Sequence, residues 1–217
     1  MWTLQKFFCS IHSNSRCRED SDDADRRGRH PGSGPDRGGG GGAGLTASTL
    51  LAIQGVEHLL VSARPTTSDL PKAHVLNQRA MEVLEDAGVA EAIAQRSTPA
   101  TQMAATAYYA GLTGPDPDYG HPLARLECWG AGGADEHWSA ASSWRQLNLP
   151  QIRLEPLLKA RAEELSSARI RFGHELVGLE QDSEGVRATI RDHAAGRTYV
   201  VGCQYLLGAD GGRRVAG

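Results

Sequence analysis

Glycines at three spaced positions are the first residues in this chain that could do chemistry. Gly39, Gly41 and Gly44 satisfy G-x-G-x-x-G just ahead of a helical pattern. Glycines so placed let a backbone turn tightly and approach a pyrophosphate held at a helix N-terminus. Gly39 and Gly41 stand within a run of five glycines, which satisfies almost any glycine pattern and reads equally well as a flexible linker. A second candidate is Asp210 in YLLGADGG, an apolar run that ends in a glycine-flanked carboxylate; taken alone it is a strand-ending Asp-Gly turn. Cys9, Cys17, Cys128 and Cys203 lie far apart without a CxxC pair, which fits neither a zinc site nor a disulfide framework.

These residues need elements to position them. LTASTLLAIQG places Leu45, Ser48, Thr49 and Ala52 at helical spacing and ends in Gly55, a favoured helix stop. VEHLLVSA follows as a short apolar run between Gly55 and Pro65, the pattern of a buried parallel strand. A second helix is expected from Val75 to Ala87, stopped by Gly88, with a short helix over Ala90 to Gln95. Thr101 to Leu112 and Leu123 to Trp129 read as two strands, and residues 130–149 show no clear period. A helix is expected over Leu154 to Leu165. RIRFG, ELVGLEQD, GVRATIRD and RTYVVGC then read as successive strands. The fold class is α/β, with a nucleotide-binding parallel sheet and an inserted, small, mostly antiparallel β-sheet.

The glycine pattern should follow a strand, yet HPGSGPDRG precedes it. If His30 to Arg37 are encoded CAT-CCC-GGT-TCT-GGT-CCT-GAT-CGT and read one base later, the product is Ile-Pro-Val-Leu-Val-Leu-Ile-Val, the apolar run a buried first strand requires. Residues 1–38 are therefore expected to be a disordered, mis-framed N-terminal segment. Residues 19–42, dominated by Asp, Arg and Gly, offer too little apolar surface to offset the entropy of ordering.

From Gly39 onward, GGGGAGLTAS, PTTSDLPKAHVLNQRAMEVLEDAGV, LPQIRLEPLL and YLLGADGGRR occur in the order used by class A FAD-dependent aromatic-ring monooxygenases. The chain resembles the phenol and 2,4-dichlorophenol 6-monooxygenase group across residues 39–217, as a truncated N-terminal fragment whose FAD-binding domain lacks its C-terminal part. The resemblance implies FAD as cofactor and NAD(P)H as co-substrate. It also implies a reaction in which oxygen, activated on the reduced flavin, is transferred to an electron-rich phenol. By position it assigns Gly39, Gly41 and Gly44 to the FAD pyrophosphate, Ser62 to the adenosine ribose, Lys72, Gln78, Arg79 and Gln151 to the flavin side, and Asp210 to the second fingerprint that helps bind FAD. His74 falls where related phenol hydroxylases place an active-site aspartate, and an imidazole there could orient or deprotonate a phenol. This chain departs from the pattern at Gly42 (usually Pro), Ser62 (often Glu), Lys72 (usually Arg) and Arg214 (usually Ser). A serine holds a ribose less firmly than a carboxylate, and a lysine lacks the guanidinium fork.

Composition limits the partners. A net charge of −3 gives no broad attraction to nucleic acid, so a small-molecule phenolic partner is expected. The longest apolar stretches are too short to span a membrane. A cytoplasmic protein follows, although the first eighteen residues are basic, serine-containing and free of acids, as transit peptides are. A homodimer is an expectation for the full-length parent only. A non-catalytic remnant that binds FAD weakly or not at all is the alternative to a hydroxylase module. An NAD-only Rossmann protein fits less well, because Ser62 replaces the usual ribose carboxylate and the Asp210 motif has no role there.

Overall fold

The computed structural model describes residues 9–11, 19–20, 40–165 and 167–211. Two compact units divide the chain: Met1–Leu70 with Ile152–Gly217, and Pro71–Gln151. The first unit opens with two short strands, β1 (Cys9–Ile11) and β2 (Glu19–Asp20). Gly39 and the segment expected to hide the first strand, residues 30–37, lie outside the described residues, as does most of the span expected to be unstructured.

Helix α1 (Gly42–Ile53) starts from Gly41 in extended conformation, without a side-chain cap. It buries Gly44, Leu45, Ser48, Thr49 and Ala52, a stripe of mostly small side chains that lets the helix lie close to the sheet. The Gly55 amide bonds back to the Ala52 carbonyl and the Val56 amide to that of Leu51, with Gly55 at φ +73°, where a Cβ would be strained. Strand β3 (Glu57–Ser62) follows, its His58, Leu59, Leu60 and Ser62 buried, as expected for a strand covered on both faces.

The second unit begins with β4 (Val75–Leu76) and α2 (Gln78–Asp86). The helix expected over Val75 to Ala87 is thus shorter. Asn77 stays extended and its side chain accepts from the Ala80 amide, so it caps α2 and leaves Val75 and Leu76 to pair as a strand. Next come α3 (Ala90–Ala94), a 3₁₀ turn at Ala100–Met103, and the hairpin of β5 (Ala105–Tyr109) with β6 (Pro122–Glu127). The 3₁₀ turn replaces the beginning of the strand expected from Thr101. The stretch without clear period holds a second 3₁₀ turn at Ala131–Gly133, α4 (Glu136–Ala140) capped by Asp135, and β7 (Leu147–Asn148), which pairs antiparallel with β4. Met81, Leu84, Ala87, Val89, Ala90, Ile93, Met103, Leu147 and Leu149 are buried in this unit.

Helix α5 (Gln151–Glu163) leads back into the first unit and buries Leu154, Glu155, Leu158 and Ala162. Strand β8 (Ala168–Phe172) then lies parallel to β3, with Ser62 opposite Phe172. Strands β9 (His174–Asp182), β10 (Gly185–Asp192) and β11 (Arg197–Cys203) form an antiparallel meander, with β2 at its edge and tight turns capped by the Asp182 and Asp192 carboxylates. Last is β12 (Tyr205–Leu206), in a sheet of order β12-β1-β3-β8. Leu59 of β3 packs with Leu176, Ala188, Ile190, Tyr199 and Val201 of the meander, so one apolar core ties the two sheets together. Strand β1 runs antiparallel to both β3 and β12 and occupies the position between them.

Candidate functional site

In the first unit, the carboxyl ends of parallel strands β3 and β8 and the start of α1 come together. A Cβ on Gly40 would sit 2.5 Å from Phe172 Cε1 and 3.0 Å from Ser62 Oγ. The turn into α1 thus passes over the Phe172 ring with no room for a side chain. Lys159 Nζ lies 5.6 Å from the centre of the same ring. The crevice beyond the carboxyl ends of parallel strands, next to a helix N-terminus, is where α/β folds hold phosphorylated ligands.

Two polar groups of the first unit lack partners among the described residues. Ser62 is 1% exposed, and its hydroxyl makes no hydrogen bond among the described residues. Both carboxylate oxygens of Asp210, after β12, are likewise out of water and unbonded. Buried polar atoms without partners cost on the order of 1–3 kcal/mol each, so a native fold keeps them where something else supplies the bond. A ligand carrying hydroxyls would supply the missing bond at each, and the N–H groups at the start of α1 suit a diphosphate. The residues fit FAD.

Glu155 is a member of this cluster that sequence reasoning missed. It is 1% exposed, and Oε2 accepts from the Ser68 amide at 2.6 Å. Its Oε1 lies 3.6 Å from where a Cβ on Gly41 would stand. The available signal was an acid on the apolar stripe of LPQIRLEPLL, between Leu154 and Leu158, where a charge survives only if bonded. His58 was also missed. Its Nδ1–H donates to the Val56 carbonyl at 2.8 Å, and the Ser48 hydroxyl donates to Nε2 at 2.6 Å. Burial pulls its pKa below the usual histidine value, only partly opposed by the Val56 bond, so the ring sits neutral beneath α1.

In the second unit, three of the expected residues meet although far apart in sequence. The Gln151 amide donates to the carbonyls of both Lys72 and Ala73, at 3.0 and 3.1 Å, and the Leu149 amide donates to the His74 carbonyl at 2.8 Å. Lys72, His74 and Gln151 are therefore held on paired backbone. The His74 ring also meets Asn148, Nδ1 to Oδ1, at 2.9 Å. Gln78 donates to the Trp138 carbonyl at 2.7 Å. Arg79 stands at the surface, its side chain 78% exposed and paired with Glu82 on the next turn. Glu82 in turn has its carboxyl held below the usual value, first by the Ser142 hydroxyl and then by Arg79. Among the described residues, no cluster of His, Cys, Asp and Glu could hold a metal, and no helix is long and apolar enough to cross a membrane.

Comparison with known proteins gives the family. The FAD binding domain family matches residues 39–216. The chain is 38% identical over 174 residues to 2,4-dichlorophenol 6-monooxygenase of Delftia acidovorans, a match that covers 80% of this chain and 28% of that enzyme. It is 30% identical over 176 residues to phenol 2-monooxygenase of Pseudomonas sp. (strain EST1001), covering 81% of this chain and again 28% of the relative. Among solved structures, the flavin-dependent monooxygenase PieE in complex with FAD and substrate superposes with a TM-score of 0.73 at 42% identity, covering 80% of this chain and 29% of that one. The chain thus spans a little over a quarter of the length of these relatives.

Proposed function

The chain belongs to the FAD-binding domain family of flavoprotein monooxygenases, and from that premise we propose that it binds FAD as part of an enzyme that hydroxylates a phenolic ring with NAD(P)H and oxygen. The observation that carries the reading is the pair of unsatisfied groups, Ser62 Oγ beside the Gly40 turn and the Asp210 carboxylate after β12. When bound, the flavin supplies the redox and oxygen chemistry; the protein supplies binding, orientation and shelter from water.

The chain's own residues divide that work. The amides at the start of α1, preceded by Gly41, present N–H groups to the pyrophosphate. Ser62 shares its hydroxyl with the ribose, and Asp210 accepts from ligand hydroxyls. Lys72, Gln78, Arg79 and Gln151 serve the flavin side, where Lys72 contributes charge without the two-pronged geometry of an arginine. His74 meets the hydroxyl of the phenol. Residues 39–217 act as one FAD-binding domain.

Replacing Asp210 by alanine tests the reading. A carboxylate retained for FAD destabilises the empty protein, so Asp210→Ala is expected to raise the apo melting temperature while FAD affinity falls at least tenfold. Unchanged FAD affinity in that variant sinks the assignment. A second reading, a polypeptide that binds FAD weakly and does not turn over, is favoured by β1, because a strand running antiparallel beside β3 does not lead directly into the glycine turn. FAD titration of the unmodified chain separates the two: a dissociation constant far above micromolar supports the second.

A further inference from the structure

Pairing of β4 with β7 does more than gather Lys72, His74 and Gln151. It sets Val75 opposite Asn148 and Leu76 opposite Leu147, so the Asn148 amide lies beside the His74 ring, with Oδ1 2.9 Å from Nδ1. The backbone around His74 is fixed on both sides. Ala73 is held at φ +26°, a conformation that non-glycine residues adopt only under constraint, and the Gln151 amide bonds its carbonyl. The Leu149 amide bonds the carbonyl of His74 itself.

A neutral imidazole carries one proton and can place it on either nitrogen; the partner at one nitrogen decides. An amide oxygen has no proton to give. With Oδ1 facing Nδ1, the proton stays on Nδ1 and the lone pair stays on Nε2. We propose that Asn148 is a positioning residue that holds neutral His74 in its Nδ1–H form, leaving Nε2 to accept the hydroxyl proton of a phenolic substrate. In that step the phenol O–H bond breaks and its electron pair stays on oxygen as phenolate. The proton moves to Nε2, and the resulting imidazolium still donates from Nδ1 to Asn148. The phenolate is the more electron-rich ring, the form that accepts oxygen more readily. This inference rests on the reading of His74 as the residue that meets the phenol hydroxyl, but its first half concerns only the His74–Asn148 pair.

The test uses the full chain labelled with ¹⁵N, with the His74 ring signals identified by their loss in His74→Gln. At a pH where the ring is neutral, long-range proton–nitrogen spectra should show a protonated Nδ1 and an unprotonated Nε2. Asn148→Ala should move proton occupancy toward Nε2, whereas Asn148→Asp, which keeps an acceptor oxygen, should retain the wild-type pattern. A wild-type ring protonated on Nε2, or a pattern unchanged in Asn148→Ala, overturns the assignment, and the wild-type spectrum decides even if a variant fails to fold. Adding phenol to the FAD-loaded chain tests the other half. An Nε2 signal that does not move overturns the acceptor role of His74, and it does so independently of where the tautomer lies.

Discussion

His58 shows how one residue can set the pH range of the fold. Its pKa is lowered in the folded chain, chiefly by burial, so the unfolded chain binds the proton more readily. Stability from this residue is therefore fully present above the unfolded value of about 6.5 and is lost as the pH falls below it toward the folded value. The expected slope is at most about 1.4 kcal/mol per pH unit for one proton. Urea midpoints measured from pH 8 down to about 5 should fall over this range. His58→Gln should be less stable throughout, with a visibly flatter pH dependence; an equal slope in both proteins would assign the effect elsewhere. Gly40 gives a second prediction at this scale. Because the Phe172 ring occupies the place of any side chain there, Gly40→Ala should cost about 1–3 kcal/mol. Adding Phe172→Ala should recover part of the loss caused by Gly40→Ala, which a double-mutant cycle on melting data would detect. Some of these positions were singled out by the sequence. Motif and order marked the glycine pattern, Ser62 and Asp210 as candidates for FAD. His58 and Glu155 were not marked, because each looks like an ordinary polar residue until its burial and partners are known.

Elements were legible where periodicity was strong and obscure where capping decided. Strands β10 and β11 alternate more and less buried side chains, and the meander's strands fall where the sequence placed them. Helix α2 was misplaced by three residues at its start, because apolar spacing at Val75 and Leu76 continues the helical pattern and only the Asn77 side chain breaks it. That explanation makes a measurable claim. Asn77→Ala removes the bond to the Ala80 amide and should destabilise the second unit by about 1 kcal/mol. Asn77→Asp, which can still cap, should lose little. Hydrogen exchange at the Ala80 amide reports the cap directly, and unchanged protection in the alanine variant would remove it as the cause of the boundary. The β4–β7 pair escaped sequence reading for a different reason. Two-residue strands 70 residues apart leave no periodic signal, and only their backbone bonds reveal them.

For the whole molecule, the unsatisfied groups turn FAD binding into a statement about stability. A ligand that binds the folded chain and not the unfolded one stabilises it by RT ln(1 + [L]/Kd), about 2.7 kcal/mol at a hundredfold excess over the dissociation constant. The chain should therefore melt higher as FAD is added, with a shift that grows logarithmically with concentration. Asp210→Ala should start from a higher apo melting temperature and gain less. Both changes are needed to identify Asp210 as retained for the ligand: a variant merely damaged by the substitution would start lower, and a residue irrelevant to FAD would leave the gain intact. Thermal shifts measured across an FAD series for both proteins separate these cases. They do so without relying on hydroxylation, so the answer holds for a chain that matches these relatives over a little more than a quarter of their length.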